Sequence, residues 1–221
     1  VSLNESGYKL IKNFLSLEMA TSIINEVDSE LVRNRGGGIR NAEKKFNLIN
    51  VFAYSDEMLC QAEKYLTGKA SLVRAILFDK SPENNWLVTW HQDKTVAVSS
   101  RFEAEGWGPW SVKEGVHHVQ PPVEVLKDMV AFRIHFDESN LENGCLKVIP
   151  GSHALGILSQ DHIHNVDKSE AAVIVEAPAL SALVMRPHLL HASNKGAKPS
   201  RRRVLHLEYS SYKLKNGVQW A

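Results

Sequence analysis

Only two cysteines, Cys60 and Cys145, occur in 221 residues, and they lie far apart in different chemical surroundings. That suits buried free thiols in a reducing compartment better than a disulfide framework, and leads us to expect a cytoplasmic protein. Charge of one sign is also missing: 26 Lys and Arg against 25 Asp and Glu leave a formal net charge of +1. No long-range field draws nucleic acid or another polyanion. The one basic run, Arg201-Arg202-Arg203, leads into a strand-like pattern with no aromatic residue interleaved. No apolar run approaches the roughly 20 residues of a membrane span, and Val1-Ser2-Leu3-Asn4-Glu5 has neither the basic nor the apolar region of a signal peptide. Internal repeats and low-complexity tracts are absent too. What remains is 43% hydrophobic and 23% charged, a globular composition whose length suits one domain over residues 1–221.

Residues 7–15 alternate like a short strand. Ser16 then opens a helix in which Met19, Ile23, Val27 and Leu31 recur at helical spacing. Three glycines in 33–41 break it, because glycine loses the most backbone entropy on ordering. Ser55 caps a second helix, with Leu59, Ala62 and Leu66 on one face and Gly68 as its stop. From residue 71 the texture changes to short β-branched or aromatic runs separated by turn residues: SLVRAILF, WLVTW, TVAVSS, MVAFRIHF, GCLKVIP, AAVIVEAP, SALVMRP and RVLHLEYS. About eight strands with irregular connections predict a mainly β fold. The expected form is a double-stranded β-helix, a cupin-like jelly roll with the N-terminal helices packed outside. The longest gap, 101–126, holds Trp107, Trp110, His117 and His118; a loop of that length with paired tryptophans is expected to be a functional lid.

Chemistry concentrates at Trp90-His91-Gln92-Asp93, where His91 and Asp93 share one face of an extended chain. Downstream, His188 and His191 offer further imidazoles. Two histidines and one carboxylate on a β-scaffold make the facial triad of non-heme Fe(II) oxygenases, with positions left open for substrate and O2. In MVAFRIHFDE, Phe132, Ile134 and Phe136 alternate with Arg133, His135 and Asp137. An outward apolar face then leaves the polar one to line the barrel. Burying the Arg133 guanidinium there requires an anion, either a protein carboxylate such as Asp137 or a bound acid.

Three strings, FDKSPENNWLVTWHQD, DESNLENGCLKVIPGSH and HAS followed by Arg202, closely resemble the phytanoyl-CoA dioxygenase family of Fe(II)- and 2-oxoglutarate-dependent oxygenases. The resemblance spans roughly residues 70–210, and NGCLKVIPGSH is its most specific part. It implies iron held by His91, Asp93 and a distal histidine eleven residues before the arginine that binds the cosubstrate. His188 plus eleven is Pro199, whereas His191 plus eleven is Arg202, so the resemblance selects His191. Ser193, two residues on, matches the family's serine and agrees, which leaves His188 as a half-buried strand histidine.

Arg202 suits the distal carboxylate of 2-oxoglutarate, because a guanidinium stays charged and pairs bidentately. Arg203 is the alternative, since a one-residue shift of register would exchange them. Gln92, Ser193, Arg133 and Lys80 are further cosubstrate candidates, although the family commonly carries an aromatic residue where Arg133 stands. Trp110, His117 and His118 are candidates to line the substrate pocket, and Arg40 aligns loosely with a basic residue that reaches the site in relatives. His153 belongs to a structural turn, His162 and His164 to an exposed loop, and Cys145 to the core.

The resemblance implies hydroxylation of a small-molecule substrate with release of succinate and CO2. Asp93 argues against halogenation, for which relatives replace the carboxylate by a small residue. Two other functions stay open. A cupin-type isomerase or epimerase would place its PxGxxH-like turn after its His-x-His pair, the reverse of the order here. A non-catalytic binding protein on the same barrel would have no need of His91, Asp93, His191 and Arg202 together.

Overall fold

A computed structural model describes residues 2–33, 37–167, 171–198, 200–215 and 217–221. Its helices are α1 (Leu3–Ser6), α2 (Leu17–Arg33), α3 (Ala42–Lys45), α4 (Asn47–Ala53), α5 (Asp56–Glu63), α6 (Val123–Lys127) and α7 (Gln160–Asp167). The strands are β1 (Tyr8–Ile11), β2 (Ile39–Arg40), β3 (Ser71–Lys80), β4 (Val88–His91), β5 (Val96–Val98), β6 (Trp110–Lys113) and β7 (Val116–Val119). There follow β8 (Met129–His135), β9 (Leu146–Val148), β10 (Val173–Val175), β11 (Ala182–Met185), β12 (His191–Ser193) and β13 (Arg202–Ser210).

A six-stranded sheet runs in the order β1-β11-β8-β13-β3-β2, and a four-stranded sheet in the order β10-β9-β12-β4. The chain crosses between them repeatedly: β3, β8, β11 and β13 lie in the larger sheet, and β4, β9, β10 and β12 in the smaller. All pairings are antiparallel. This alternation is the double-stranded β-helix expected from the strand pattern.

Strand alternation divides the large sheet into two faces. Leu77, Phe132, Ile134, Leu205, Leu207 and Tyr209 face outward and share one core with Ile23, Val27 and Leu31 of α2, Ile49 of α4 and Met58 of α5. Burying that face takes large apolar side chains out of water, the dominant favourable contribution to folding. Phe132 anchors it, with the ring of Tyr209 edge-on at 6.1 Å and that of Tyr65 also at 6.1 Å. The opposite face carries Arg74, Ile76, Phe78 and Lys80 of β3, Arg133 and His135 of β8, and Arg202, His206 and Glu208 of β13. Polar groups therefore occupy the barrel interior.

Several local expectations hold. Ser16 Oγ accepts from the Met19 amide at 3.1 Å to start α2, and Ser55 Oγ accepts from Met58 at 3.2 Å to start α5. The second helix is shorter than its periodicity predicts. It ends at Glu63 rather than at Gly68, because the Glu63 carboxylate takes the Ala70 amide at 3.1 Å and Tyr65 turns onto Phe132. The glycine-rich stretch 33–41 falls partly on residues 34–36, outside the described residues; its end forms β2, which pairs with β3. Helices α3 and α4 and strand β12 went unassigned in the sequence. The first two are short, and β12 is three buried residues without alternation.

The 101–126 stretch differs most from expectation. It is not a patternless lid: β6 and β7 form a hairpin that adds to β5 as a third sheet, and α6 follows. Phe102 packs edge-on to Trp107 at 4.8 Å and to Trp110 at 5.3 Å, over a core of Val73, Val96, Val98, Val119, Val125, Leu126 and Met129. His162 and His164 are exposed as expected, but on helix α7 rather than in a loop.

Candidate metal and cosubstrate site

Strands β4 and β12 place His91 and His191 directly opposite one another as Cα partners. Their rings lie 4.2 Å apart, centroid to centroid. Asp93 follows two residues after His91, its amide donating to the Pro187 carbonyl at 2.9 Å. Its Oδ1 is 3.6 Å from His91 Nε2 and its Oδ2 is 3.5 Å from His191 Nε2. The ligand atoms of these three residues all lie within 4.8 Å of one another.

Both imidazoles are preset. His91 Nδ1 meets the Thr89 carbonyl at 2.8 Å and His191 Nδ1 meets the Leu189 carbonyl at 2.8 Å. A carbonyl only accepts, so each Nδ1 carries a proton and each ring turns its Nε2, the atom a metal ligand offers, toward Asp93. Burial opposes protonation of His91, but its hydrogen bond to Asp93 and the Asp93 charge outweigh it and raise His91 above the ordinary imidazole value. Burial and the neighbouring His91 push His191 down to about 3, keeping it neutral at ordinary pH. Burial opposes ionisation of Asp93, but His191, the hydrogen bond from His91 and the Arg74 guanidinium outweigh it and hold the carboxyl well below the usual range. Two imidazoles and one carboxylate meet at a single point.

Behind Asp93 stands a buried ionic group that the sequence reading missed. Arg74 donates to Glu208 at 2.7 Å and reaches within 4.0 Å of Asp93, while His206 Nε2 lies 2.9 Å from Glu208. Glu208 is fully buried and answered by a guanidinium, so the grouping of Asp93, His206 and Glu208 supports the first site rather than offering a second. Arg74 and Glu208 are cross-strand partners on β3 and β13. Period-2 alternation from Lys80 back to Arg74, and from Arg202 on to His206 and Glu208, was the available signal.

Arg202 points into the barrel. Arg203 points out, where its Nε and Nη2 pair with the two Asp137 oxygens at 2.8 Å each, and Arg201 meets Asp28 at 2.7 Å and Asp79 at 3.2 Å. Register thus excludes Arg203 and also removes Asp137 as a partner for Arg133. Arg202 is the Cα partner of Lys80. Its Nη1 reaches Ser139 Oγ at 3.5 Å, and Lys80 Nζ donates to the Asn194 carbonyl at 2.8 Å and to Ser193 Oγ at 3.4 Å.

Arg133 lies over the Phe78 ring, its guanidinium carbon 5.4 Å from the centroid. Arg133, Arg202 and Lys80 are all buried, and among the described residues none has a carboxylate within 4.0 Å. Arg133 Nε and Arg202 Nε have no hydrogen-bond partner. Burial, Arg202 and Arg133 depress the Lys80 ammonium to about 8, and burial with Arg133 depresses Arg202 to about 10. Three adjoining buried cations without a counter-ion call for an anion.

A cavity of about 490 Å³ runs past both groups, a size suited to small molecules. His91, Asp93, His191, Arg133, Arg202, Ser193, Gln92 and Arg40 line it, as do Arg74, Trp86, Lys113 and Gln120, which the sequence reading did not single out. Lys80 stands behind Ser193 rather than on the wall. The Gln92 amide is committed elsewhere: Nε2 donates to the carbonyls of Gly156 at 2.8 Å and His188 at 2.7 Å, and Oε1 accepts from Leu158 at 2.8 Å. Its role is to pin the loop beneath the ligands, not to meet the cosubstrate.

Trp110, His117 and His118 do not line the cavity. Trp110 packs on Phe102, His117 turns toward Trp110 at 6.5 Å, and His118 is buried behind the wall. Alternation along the hairpin turns Trp110 and His117 away from the face that carries Lys113 and Gln120, whereas His118 shares that face and is buried beneath it. His188 is fully buried in the turn before β12 rather than half-buried in a strand, with its ring 6.0 Å from that of His153. His153 itself meets the Asn4 carbonyl at 3.1 Å, away from the ligands. In the Asn143-Gly144 turn, Gly144 adopts φ +77, and a side chain there would collide with the Asn194 carbonyl beside Lys80.

Solved structures share this architecture at low identity. AviO1 from Streptomyces viridochromogenes Tue57 is 18% identical with a TM-score of 0.72, covering 97% of this chain and 94% of its own. EctD from S. alaskensis, with 2-oxoglutarate and 5-hydroxyectoine, is 15% identical with a TM-score of 0.70 over 94% of this chain and 73% of its own. SnoN, a non-heme alpha ketoglutarate dependent epimerase from nogalamycin biosynthesis, is 14% identical with a TM-score of 0.68 over 94% and 78%. No curated protein sequence matches the chain. Residues 3–204 match the family described as Phytanoyl-CoA dioxygenase (PhyH), a span that takes in His91, Asp93, His191 and Arg202. A double-stranded β-helix whose interior joins two histidines, a carboxylate and an unanswered arginine therefore belongs to the phytanoyl-CoA dioxygenase family.

Proposed function

We propose that the chain is an Fe(II)- and 2-oxoglutarate-dependent dioxygenase that hydroxylates a small-molecule substrate, with His91, Asp93 and His191 as the metal ligands and Arg202 as the cosubstrate anchor. The observation that carries this reading is the pairing of two features in one cavity: a preset two-histidine, one-carboxylate cluster and, further in, buried cations without a counter-ion. A dicarboxylate with a 2-oxo acid at one end answers both, one end at the metal and the other at Arg202. A redox-silent cupin isomerase needs the first feature but has no use for the second.

When bound, Fe(II) and 2-oxoglutarate supply oxidative decarboxylation to succinate and CO2 and the oxidising equivalent that functionalises a C–H bond. The chain's own contribution is placement. His91 and His191 present their Nε2 atoms, Asp93 stays ionised beside Arg74, and Arg202 with Ser193 receives the distal carboxylate, with the Lys80 charge behind Ser193. Arg133 supplies further positive charge between those two ends. Cys145 is buried as expected, whereas Cys60 on α5 is exposed; both are free, which suits a cytoplasmic setting, and none of the described helices is long and apolar enough to cross a membrane. The test is succinate release from 2-oxoglutarate. It should require both Fe(II) and O2 and vanish in Asp93→Ala; succinate formation that persists in Asp93→Ala would overturn the assignment.

Lys80 gives this reading a pH signature. Burial, Arg202 and Arg133 bring its ammonium down to about 8, and a carboxylate arriving beside Arg202 restores favourable charge and raises it. Just above pH 8 the free protein therefore holds fewer protons at Lys80 than the complex does, so binding takes up a proton and affinity falls as pH rises. Calorimetry in two buffers of different ionisation heat should show uptake of up to one proton, absent in Lys80→Met. Proton uptake that is unchanged in Lys80→Met would refute the role given to Lys80.

A further inference from the structure

On the open side of the metal ligands a second set of cations converges, one from each of three elements. Arg40 comes from edge strand β2, Arg74 from β3 and Lys113 from the β6–β7 hairpin, and all three line the same cavity as Asp93. The chain as a whole carries only +1. Yet the cavity wall holds Arg40, Arg74, Lys94, Lys113, Arg133 and Arg202 against the single carboxylate of Asp93, which is given to the metal. The cosubstrate answers Arg202 and Arg133. Lys94 donates to the Leu158 carbonyl at 3.2 Å.

The acids near the remaining cations answer them only in part. Glu208 takes Arg74 at 2.7 Å, but Arg74 Nε stays buried without a partner. Glu114 is held by Lys45 at 2.9 Å and reaches Arg40 only at 4.0 Å. Lys113 has no carboxylate within 4.0 Å among the described residues. Their closeness shows in their neighbours: burial first, then Arg74, Lys113 and Arg40 together, push His118 down to about 4, and Lys113 is itself lowered by burial, Arg40 and Arg74.

We propose that the substrate carries an oxyanion, a carboxylate or a phosphate, that docks between Arg40, Arg74 and Lys113 beside the metal ligands. This rests on the reading of the site as metal- and 2-oxoglutarate-dependent. Arg74 lies 4.0 Å from Asp93, so an anion held there leaves only a short stretch between the charged group and the carbon that meets the metal. The substrate is accordingly a small acid, consistent with a cavity of about 490 Å³ that also admits the cosubstrate. Arg40 and Lys113 are its specificity residues, while Arg74 also keeps Glu208 and Asp93 in place.

The test titrates acetate, methyl phosphate and neutral acetamide into the anaerobic Fe(II)–2-oxoglutarate complex, whose visible charge-transfer band reports that metal and cosubstrate are seated. With the deeper cations already occupied, at least one of the two anions should bind and acetamide should not. The tighter anion identifies the oxyanion class. In Arg40→Ala/Lys113→Ala the band should persist while anion affinity drops tenfold or more, about 1.4 kcal/mol at 25 °C. A persistent band with no anion binding, or with binding unchanged in the double variant, would overturn the proposal. Failure of the band to form in the unaltered protein would instead overturn the metal and cosubstrate reading on which it rests.

Discussion

His191→Ala should abolish stoichiometric Fe(II) binding while leaving the chain folded. His191 is the buried member of the pair, its Nε2 3.5 Å from Asp93, its Nδ1 fixed by the Leu189 carbonyl and its backbone paired with His91. Its side chain faces the cavity and belongs to none of the apolar clusters, so removing it asks little repacking of them. His188→Ala is the informative control: His188 sits in the turn before β12, close to His153 and away from Asp93. Equilibrium dialysis with iron analysis should give one metal per chain for the unaltered protein and for His188→Ala, and none for His191→Ala. Metal loss in His188→Ala with retention in His191→Ala would reverse the ligand assignment.

Arg202→Leu should weaken 2-oxoglutarate binding by about 2–5 kcal/mol, the usual cost of truncating one partner of a buried charge pair, or roughly thirtyfold to several thousandfold in dissociation constant. Among the described residues Arg202 has no carboxylate within 4.0 Å, so none of them replaces the anion it receives. Arg203→Leu should leave that constant nearly unchanged, since Arg203 faces outward and is bound to Asp137; its loss should appear as reduced stability instead. Calorimetric titration of the metal-loaded protein separates the two. An equal effect, or a larger one at Arg203, would contradict the register of β13.

The sequence made the metal cluster legible because its ligands obey spacing: His91 and Asp93 fall on one face of two residues of extended chain, and His191 is tied by family spacing to Arg202. Bare strand parity could not choose between His188 and His191, and the resemblance was needed. The choice between Arg202 and Arg203 was beyond local sequence for a related reason. Both carry the same charge in a run of three, and only pairing with β3, which sets Arg202 opposite Lys80, decides which enters the barrel. Arg133 was readable as a buried cation from alternation, but whether Asp137 answered it was not, since that turns on Asp137 reaching Arg203 beyond the end of β8.

What failed was tertiary in origin. The hairpin in 101–126 has strands of four residues around Glu114-Gly115 and draws its stability from β5 and the core beneath, so its local pattern is weak. Trp110, His117 and His118 were chosen for chemistry in an unpatterned stretch; once the hairpin is known, facing turns Trp110 and His117 away, and burial keeps His118 off the wall. Gln92 had the right position but the wrong availability, because the backbone groups that occupy it come from Gly156, Leu158 and His188, all remote in sequence.

The central claim is that one cavity seats Fe(II) on His91, Asp93 and His191 and 2-oxoglutarate on Arg202 at the same time. Anaerobic titration of the protein with Fe(II) and then 2-oxoglutarate, followed by visible absorption, tests it most directly. The account predicts a metal-to-ligand charge-transfer band that saturates at one equivalent of each, is absent in His191→Ala and needs far more 2-oxoglutarate in Arg202→Leu. Iron binding without any such band, or a band indifferent to both substitutions, would contradict it.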